Sequence, residues 1–404
     1  MRCVVKVVSV TCLLAILIVI LGSLVPRYPS LEFKREVIFE NEKLKVTLDG
    51  VIEGLTPLFV RDGVLYAIED HYLYVSTDDG RSFEQRGKIP KLDDSFMAKV
   101  KDFVARNRFV RHFRKNRSIG NVAVLPSGTI LVVYDQVYRS IDGGLTFESV
   151  FQYPADLVPP FMGGLAVTPN GDVYFGEYDA ISRPHAISVI KGENDGMTWR
   201  EIYSFPSGQI FHVHSIIYDE YRGGLLIATG DRDHESHLYF TKDDFQSIKE
   251  IGGDSQDWRI VSLVPTKEYL YWGSDNDQTG ASIFRWDFSK NMIDSLHFIG
   301  TPSYFSTRLK DGTIVISTTH EPRSVFTKAA HPQPVISLWV SQHGEEWIEI
   351  LQYDSISKLA PNDSTRASFF LPDGDGSLDS LVVTSNYTVD RDFFLHKLKL
   401  EWVE

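Results

Sequence analysis

One short turn motif recurs along this chain, and its repetition restricts the folds that the chain can adopt. The motif is Ser-x-Asp-x-Gly-x-x-Trp/Phe, and each copy lies between two runs of β-forming residues, as in a β-hairpin. Copies recur at intervals of about 45–65 residues, with one copy absent between the last two, and such a period indicates a repeat architecture. The motif or a variant of it occupies five segments: 76–83, 140–147, 192–199, 241–248 and 341–347.

The residues of the motif suit a hairpin turn. The Asp carboxylate can accept hydrogen bonds from backbone N–H groups inside the turn, and the Gly permits a positive φ. We expect the aromatic residue to pack between neighbouring sheets. A structural rather than a catalytic role is therefore predicted for the residues at the Asp position, which are Asp78, Asp142, Asn194 and Asp243.

The motif resembles the Asp-box (BNR) repeat of sialidase-like β-propellers, and the resemblance covers most of residues 45–402. It implies an all-β propeller, to which we assign residues 45–404. Seven β-units can be counted, which favours seven blades; six is the alternative, because sialidase-like propellers have six. The segment Glu36 to Phe39 is a candidate for completing the last blade, and such closure removes exposed sheet edges.

The N-terminal sequence predicts a membrane anchor. Residues 7–25 carry no charge and are long enough to cross about 30 Å of hydrocarbon. Arg2 and Lys6 precede this run and favour a cytoplasmic location for residues 1–6. A cleaved secretory signal is the alternative. Both hypotheses place the propeller outside the cytoplasm, with residues 26–44 as a tether.

Two further features concern charge. The net charge of −13 argues against nucleic acid as a partner. Residues 93–118 interrupt the β-pattern and predict an inserted helix rich in Lys and Arg. This helix either packs on the propeller with a solvated basic face or contacts lipid headgroups or an acidic glycan.

Strand order divides the loops of a propeller between two faces. The turns between the first and second and between the third and fourth strands of each blade share one face, which therefore carries the Asp motifs. The opposite face collects polar residues that turns do not need, and loops on a rigid scaffold often carry function. The candidate catalytic residues there are His212, His214, Glu177, Tyr178, Asp231 and Arg259. The candidate substrate-binding residues are Arg183, His185, Asp233, Glu235, Trp258, His320 and Arg366.

The spacing of His212 and His214 allows both side chains to bind one metal ion together with Glu177 or Asp231. A divalent metal is therefore the candidate cofactor, although hydrogen-bonded packing histidines would show the same spacing. Arg183, Arg259 and Arg366 could clamp a carboxylate or could pair with the acidic residues instead.

Three functions agree with these features. The first is a membrane-anchored propeller that binds or processes a glycan, the second is a lyase or hydrolase of acidic polysaccharides, and the third is a protein-interaction module without catalysis. Sialidase activity is disfavoured, because the Arg-Ile-Pro motif of that family is absent. The predicted partners are a glycan or polysaccharide and, through residues 7–25, a membrane. The sequence does not predict the oligomeric state.

Overall fold

The computed structural model describes residues 29–93, 95, 120–154, 157, 159–178, 185–322, 334–358 and 366–403. The fold of these residues is all-β, with three short 3-10 helices at Asp233–Glu235, Gln256–Trp258 and Ile356–Lys358. In the part of the chain described, we find no helix with the length and apolar character needed to cross a membrane. The predicted anchor at 7–25 and nearly all of the predicted helix at 93–118 lie outside these residues.

The strands form successive antiparallel sets, which we number blades 1 to 7. Two strands precede blade 1: β1 (Glu32–Glu40) and β2 (Leu44–Glu53). Blade 1 contains β3 (Thr56–Arg61), β4 (Val64–Glu69), β5 (Tyr72–Ser76) and β6 (Glu84–Lys88). Blade 2 contains β7 (Asn121–Val124), β8 (Ile130–Val133), β9 (Val137–Ser140) and β10 (Glu148–Phe151). Blade 3 contains β11 (Leu165–Val167), β12 (Val173–Gly176), β13 (Ile187–Glu193) and β14 (Thr198–Phe205).

The remaining blades follow in chain order. Blade 4 contains β15 (His212–Asp219), β16 (Gly224–Gly230), β17 (His237–Thr241) and β18 (Lys249–Gly253). Blade 5 contains β19 (Ile260–Pro265), β20 (Tyr269–Ser274), β21 (Ala281–Asp287) and β22 (Met292–Gly300). Blade 6 contains β23 (Ser303–Arg308), β24 (Ile314–His320), β25 (Val335–Ser341) and β26 (Ile348–Asp354). Blade 7 combines β27 (Ala367–Phe370), β29 (Leu381–Asn386) and β30 (Phe394–Trp402) with β2 and β1, and β28 (Asp373–Gly374) pairs with β3.

The blades are arranged in a ring. The first strand of each blade contacts the first strand of the next from blade 1 to blade 6, and β27 of blade 7 contacts β3 of blade 1. The prediction of an all-β propeller is confirmed. Blades 6 and 7 form one nine-stranded sheet, joined by the pairs Thr319–Ser368 and His320–Ala367. Dividing this sheet at that junction gives seven sets of strands.

The N-terminal strands close the ring. The strand β2 pairs with β30 from Leu44–Trp402 to Glu53–Phe394, and β1 pairs with the outer edge of β2. Two predicted boundaries are therefore wrong: residues 32–40 form a strand rather than a tether, and blade 1 begins at Thr56 rather than near Lys45. Glu36 to Phe39 does lie in the closing sheet, as part of β1. Closure by strands from the start of the chain covers the edge that β30 would otherwise expose.

A buried lysine also joins the last blade to the first. The Nζ atom of Lys397, whose side chain is 1% exposed, donates to the Asp79 carboxylate and, at 2.9 Å, to Ser380 Oγ. Ser380 Oγ in turn donates to Asp79 Oδ2 at 2.6 Å. Burial opposes the charge on Asp79, but the bonds from Lys397 and Ser380 hold the pKa of this carboxyl below its usual value.

The core lies between the blades. Every residue of β8 and of β16 is buried, because an inner strand of a propeller has a neighbouring blade on each side. These strands therefore show continuous apolar runs rather than alternation. The outermost strands, such as β18, are partly exposed.

The Asp motifs form turns between the third and fourth strands of their blades. Asp142 Oδ1 accepts bonds from the backbone N–H groups of Leu145 and Thr146, both at 3.0 Å, and Oδ2 accepts one from Thr146 Oγ1 at 2.6 Å. Asp78 accepts the corresponding bonds in blade 1. These contacts are what a structural role requires.

Adjacent blades show that both kinds of turn share a face. Ser127 and Thr129, beside the first turn of blade 2, donate to the Asp195 carboxylate in the motif of blade 3, at 2.5 and 2.6 Å. We call this side of the ring the turn face and the opposite side the loop face. Functional residues on the loops are thereby separated from the Asp motifs by the length of a strand.

Replacing Asp142 by alanine should lower the stability of the fold by about 1–2 kcal/mol, because backbone donors lose their acceptor. The Thr146 hydroxyl and backbone N–H groups lower the pKa of Asp142 to about 2. This contribution is therefore present above pH 4, near the unfolded value, and is lost as the pH falls towards 2. Thermal melts of both proteins at pH 7 and pH 3 test this. A metal-binding change in the variant would contradict the assignment of Asp142 to the turn face.

Candidate metal centre

Two histidines and one aspartate converge on the loop face of blade 4. His212 and His214 lie at the start of β15, and Asp231 directly follows the adjacent strand β16. The ladder pairs His212 with Gly230 and is interrupted by a bulge between Val213 and Ser215. Bulges re-aim side chains near functional sites, and here His214 is the residue within the bulge.

The glycine before Asp231 makes room for one of these rings. A Cβ atom at Gly230 would lie 2.3 Å from Cε1 of His214. A larger residue would therefore displace the imidazole. Gly230 is part of the site because only its backbone allows this approach.

The three side chains present one potential ligand atom each. The Nε2 atoms of His212 and His214 lie 3.3 and 3.2 Å from Asp231 Oδ1. All three ligand atoms fall within 4.8 Å of one another. Both histidine side chains are 2% exposed, whereas that of Asp231 is 35% exposed, so solvent reaches the group from the aspartate side.

The two polar contacts of His214 cannot both be hydrogen bonds donated by a neutral imidazole ring. Its Nδ1 atom lies 2.8 Å from the carbonyl oxygen of Ile260, and its Nε2 atom lies 3.2 Å from Asp231 Oδ1. Both partners are acceptors, but a neutral imidazole has a single N–H. Burial lowers the pKa of His214 to about 4, so a second ring proton is disfavoured at neutral pH. A metal cation at Nε2 would satisfy both contacts.

The donor set fits a divalent transition metal. Two imidazole nitrogens and a carboxylate oxygen suit such ions. A ligating histidine commonly donates its other N–H to a backbone carbonyl, which fixes the tautomer, and Ile260 provides that carbonyl for His214. Burial opposes ionisation of Asp231, but His212 and His214 hold the pKa of its carboxyl well below the usual range, so it is available as an anionic ligand.

Arg259 is held by three carboxylates around the same group. Its Nη2 atom lies 3.2 Å from Asp231 Oδ1 and 3.0 Å from Asp275 Oδ2, and its Nη1 atom lies 2.9 Å from Asp277 Oδ1. The Arg259 side chain is 11% exposed. It therefore positions the acidic residues and has little surface left to clamp a substrate.

Asp275 is the most deeply buried of these acids. Its Oδ1 atom has no hydrogen-bond partner among the described residues. Burial raises the pKa of Asp275 well above its usual value, although Arg259 opposes this effect. Asp231, whose Oδ1 atom lies within 3.3 Å of both histidines, is their anionic partner in this group.

Aromatic rings cover one side of the histidine pair. The Tyr178 ring stacks on His212 with centroids 4.1 Å apart, and Phe161 lies 4.9 Å from Tyr178 and 5.6 Å from Tyr304. Burial raises the pKa of Tyr178 above its usual range, so the phenol is protonated at neutral pH. These rings exclude water from the histidines on that side.

Arg366 is a cation whose side chain keeps an accessible surface. Its Nε atom lies 2.8 Å from Glu321 Oε1, and its side chain remains 53% exposed. Its guanidinium lies 5.9 Å from the centre of the Tyr304 ring, and the Tyr304 hydroxyl donates to Glu321. Glu321 and Tyr304 thus orient Arg366, which can still bind an anionic group.

Some predicted residues lie apart from the three ligand atoms. Glu177 is buried and contacts His185 Nε2 at 3.1 Å and the N–H of Ser188 at 3.2 Å. The structure therefore brings Asp231, and not Glu177, to the histidine pair. Asp233 accepts a bond from Gln256 at 2.9 Å. Glu235 closes a short helix by accepting the backbone N–H of Arg232 at 3.1 Å.

Two predicted substrate-binding residues are packed inside the fold. Trp258 is 6% exposed and stacks on Trp272 with centroids 5.3 Å apart. It fills the core between blades 4 and 5 and has little surface left for a substrate. His320 is also 6% exposed, and its Nδ1 atom lies 3.2 Å from both Ser355 Oγ and Ser357 Oγ. Burial lowers the pKa of His320 to about 4. Arg183 lies outside the described residues.

Several residues of this region have no local sequence pattern that marks them as part of a site. Tyr304 and Phe161 were overlooked because each lies in an apolar stretch at the entry to a blade, where a core position is expected. Asp275 follows β20 in the same way that Asp231 follows β16. This equivalent position in the repeat was the signal that could have identified Asp275.

A cavity on the other side of the ring is occupied by a different charge cluster. It measures about 320 Å³ and is lined by Asp172, Lys191 and Asp244, among others. Lys191 Nζ lies 3.0 Å from Asp172 and 2.9 Å from Asp244. These are turn-face residues of blades 3 and 4, so the cavity is separate from the histidine–aspartate group.

No family model matches this sequence, and no curated protein matches it. Solved structures share its fold. An oligogalacturonate lyase in complex with manganese superposes with a TM-score of 0.57 at 12% identity, covering 93% of this chain and 98% of the other. An oligogalacturonate lyase from Vibrio parahaemolyticus gives 0.54 at 10% identity, with coverages of 92% and 98%. A chain of the mitotic checkpoint complex gives 0.50 at 10% identity, with coverages of 92% and 90%. At these identities the likeness establishes a shared β-propeller fold.

Proposed function

We propose that this protein is a divalent-metal-dependent β-propeller that acts on an acidic glycan. His212, His214 and Asp231 would hold the metal. The observation that carries the proposal is the geometry of His214, whose two ring nitrogens both face acceptor oxygens in a buried setting. A bound cation at Nε2 removes this conflict.

The similar structures support the choice of ligand. Two of them are oligogalacturonate lyases, and one of these is in complex with manganese. Galacturonate is a sugar acid, and the exposed Arg366, which is linked to His212 through the rings of Tyr304, Phe161 and Tyr178, could bind its carboxylate. A chain of the mitotic checkpoint complex has a similar fold, so the propeller fold alone does not define an activity.

The charges of the site explain why a cation would be needed. Asp231, Asp275, Asp277 and Glu321 are opposed by Arg259 and Arg366. These groups therefore supply no net positive charge that would attract a sugar carboxylate to the histidines. A bound divalent metal would supply positive charge to bind that carboxylate and to acidify the adjacent C–H bond.

The protein side chains have separate roles in this proposal. Arg366 would bind a second anionic group of the glycan, because half of its side chain is exposed while Glu321 fixes its direction. Tyr178 and Phe161 would exclude water from the histidines. Arg259 would hold Asp231 in place. A β-elimination and a hydrolysis both remain compatible with this arrangement.

We also propose that residues 7–25 anchor the protein in a membrane, with the propeller outside the cytoplasm. This rests on the uncharged run and on the preceding Arg2 and Lys6. It is independent of the metal proposal.

The function can be tested on the full chain in detergent after treatment with a chelator. Calorimetric titration with Mn²⁺ should show one site per chain. Oligogalacturonate, oligoguluronate and neutral cello-oligosaccharides should then be compared with and without Mn²⁺, by ultraviolet absorbance for unsaturated products and by reducing ends for hydrolysis. We expect Mn²⁺-dependent product from an acidic oligosaccharide only. Mn²⁺-dependent binding of an acidic oligosaccharide without product would show a glycan-binding protein and not an enzyme. Absence of Mn²⁺ binding would refute the proposal.

A further inference from the structure

The start of the described chain is fixed to the turn face. Leu31 N donates to Arg81 O at 2.9 Å, and Phe83 N donates to Pro29 O at 2.8 Å. Arg81 and Phe83 belong to the Asp motif of blade 1. The chain therefore leaves the propeller, towards its N-terminus, beside a turn of that face.

The connection to the predicted membrane segment is short. Three residues, 26–28, separate Pro29 from the end of the uncharged run at Val25. Four Cα–Cα steps span at most about 14 Å. The ring is about 17–20 Å thick, which is the length of its five- or six-residue strands. With Val25 at the membrane surface, the loop face therefore cannot lie flat on that surface.

The turns nearest to this exit carry exposed apolar side chains. Ile141 and Leu145, in the motif of blade 2, are 71% and 56% exposed, and Met197, in the motif of blade 3, is 46% exposed. The blade 2 turn adjoins blade 1, since Gly87 N donates to Gly144 O at 2.6 Å. Ile141 and Leu145 thus share one turn next to the exit point, and Met197 lies on the corresponding turn of the following blade. Two large apolar side chains exposed on a single turn suit a contact surface.

We propose that the turn face lies against the lipid bilayer, with Ile141 and Leu145 inserted at its surface. The bilayer is favoured over a protein partner because the anchor holds Pro29, at the edge of this face, within about 14 Å of lipid. The net charge of −13 predicts apolar contact with uncharged lipid rather than attraction to anionic headgroups. The proposal rests on the predicted anchor and is independent of the metal centre. It directs the loop face, with His212, His214 and Asp231, away from the membrane.

Both cysteines of the chain, Cys3 and Cys12, lie near or within the predicted anchor, so single labelling sites can be introduced in a Cys3→Ser, Cys12→Ser background. Ile141→Cys would carry an NBD fluorophore in the full chain, reconstituted in phosphatidylcholine vesicles. Phe298→Cys is a matched control, because this outer-strand side chain is 56% exposed. His234→Cys, at a side chain 66% exposed, reports the loop face.

A nitroxide on the lipid headgroup should quench NBD at position 141 several-fold more strongly than at 298 or 234, with blue-shifted emission at 141 alone. Equal quenching at the three positions, or stronger quenching at 234, would overturn the proposal. Failure of the full chain to float with the vesicles would overturn it as well, by removing the anchor. None of these outcomes bears on Mn²⁺ binding, which is measured separately.

Discussion

Replacing Asp231 by asparagine should abolish the stabilisation of this protein by Mn²⁺. In the wild type, metal at one hundred times its dissociation constant should stabilise the fold by about 2.7 kcal/mol. In the variant the carboxylate ligand is gone, and the amide N–H₂ can donate to the lone pair on His214 Nε2. The metal-free variant should therefore be at least as stable as the metal-free wild type. Thermal melts with Mn²⁺ and with EDTA measure both effects.

Asp233→Asn provides a matched control for this experiment. It changes the same chemical group two residues along the loop, where the carboxylate accepts a bond from Gln256 and lies outside the three-ligand group. Its response to Mn²⁺ should equal that of the wild type. A full Mn²⁺ response in Asp231→Asn would exclude Asp231 as a ligand. Strong destabilisation of that variant in EDTA would instead indicate that Asp231 is a buried ion-pair partner of the histidines.

Replacing Lys397 by alanine should produce the largest loss of stability among single changes at the ring closure. The side chain is 1% exposed and joins β30 to the Asp79 carboxylate of blade 1. Removing one member of a buried ion pair costs about 3–5 kcal/mol. The 25% exposure of Asp79 and its remaining bonds from Ser380 place the expected cost at the lower end of this range. The unfolding midpoint should fall by several degrees. Because the folded pKa of Asp79 is lowered, its contribution is present above about pH 4 and is lost at lower pH.

Lys399→Ala is the control for Lys397→Ala. It lies two residues along the same strand, and its pair with Glu401 is exposed, with side-chain exposures of 46% and 43%. Exposed pairs contribute under about 1 kcal/mol, so this variant should melt close to the wild type. Combining Lys397→Met with Asp79→Asn should recover part of the loss, since neither charge remains buried; asparagine also tolerates the positive φ of 59° at position 79. A midpoint for Lys397→Ala equal to that of Lys399→Ala would show that the closure does not depend on this pair.

The histidine–aspartate group and the Lys397–Asp79 pair at the ring closure lie on opposite faces of the propeller. Mn²⁺ binding should be unaffected by Lys397→Ala at temperatures where the variant is folded. The closure should likewise be unaffected by Asp231→Asn. The separation follows from strand order, which places turns and loops at opposite ends of each blade.

The repeat, the turns and the division of the loops between two faces can be predicted from the order of the residues alone. The bonds around Asp142 join residues that are at most four positions apart, so consecutive residues contain the information needed to predict them. The direction of each strand follows from the one before it, and the face of every loop follows from strand order.

The membership of the candidate site depends on how the blades pack together. Glu177 and Asp231 were equivalent choices in the sequence, but Glu177 turns to His185 while Asp231 meets the histidines. Trp258 and Arg259 are adjacent in the segment before β19, so the sequence assigns both to the loop face. Trp258 is nevertheless buried against Trp272, because the short helix Gln256–Trp258 directs it between the blades. The sequence around the closing strand β2 predicts the first strand of blade 1, because blade 1 follows it directly. Its actual partner β30 lies some 350 residues away in the chain, and such long-range pairing is not visible in the local pattern. Local hydrogen bonding is set by neighbouring residues, whereas side-chain direction, burial and long-range pairing depend on how the whole ring packs.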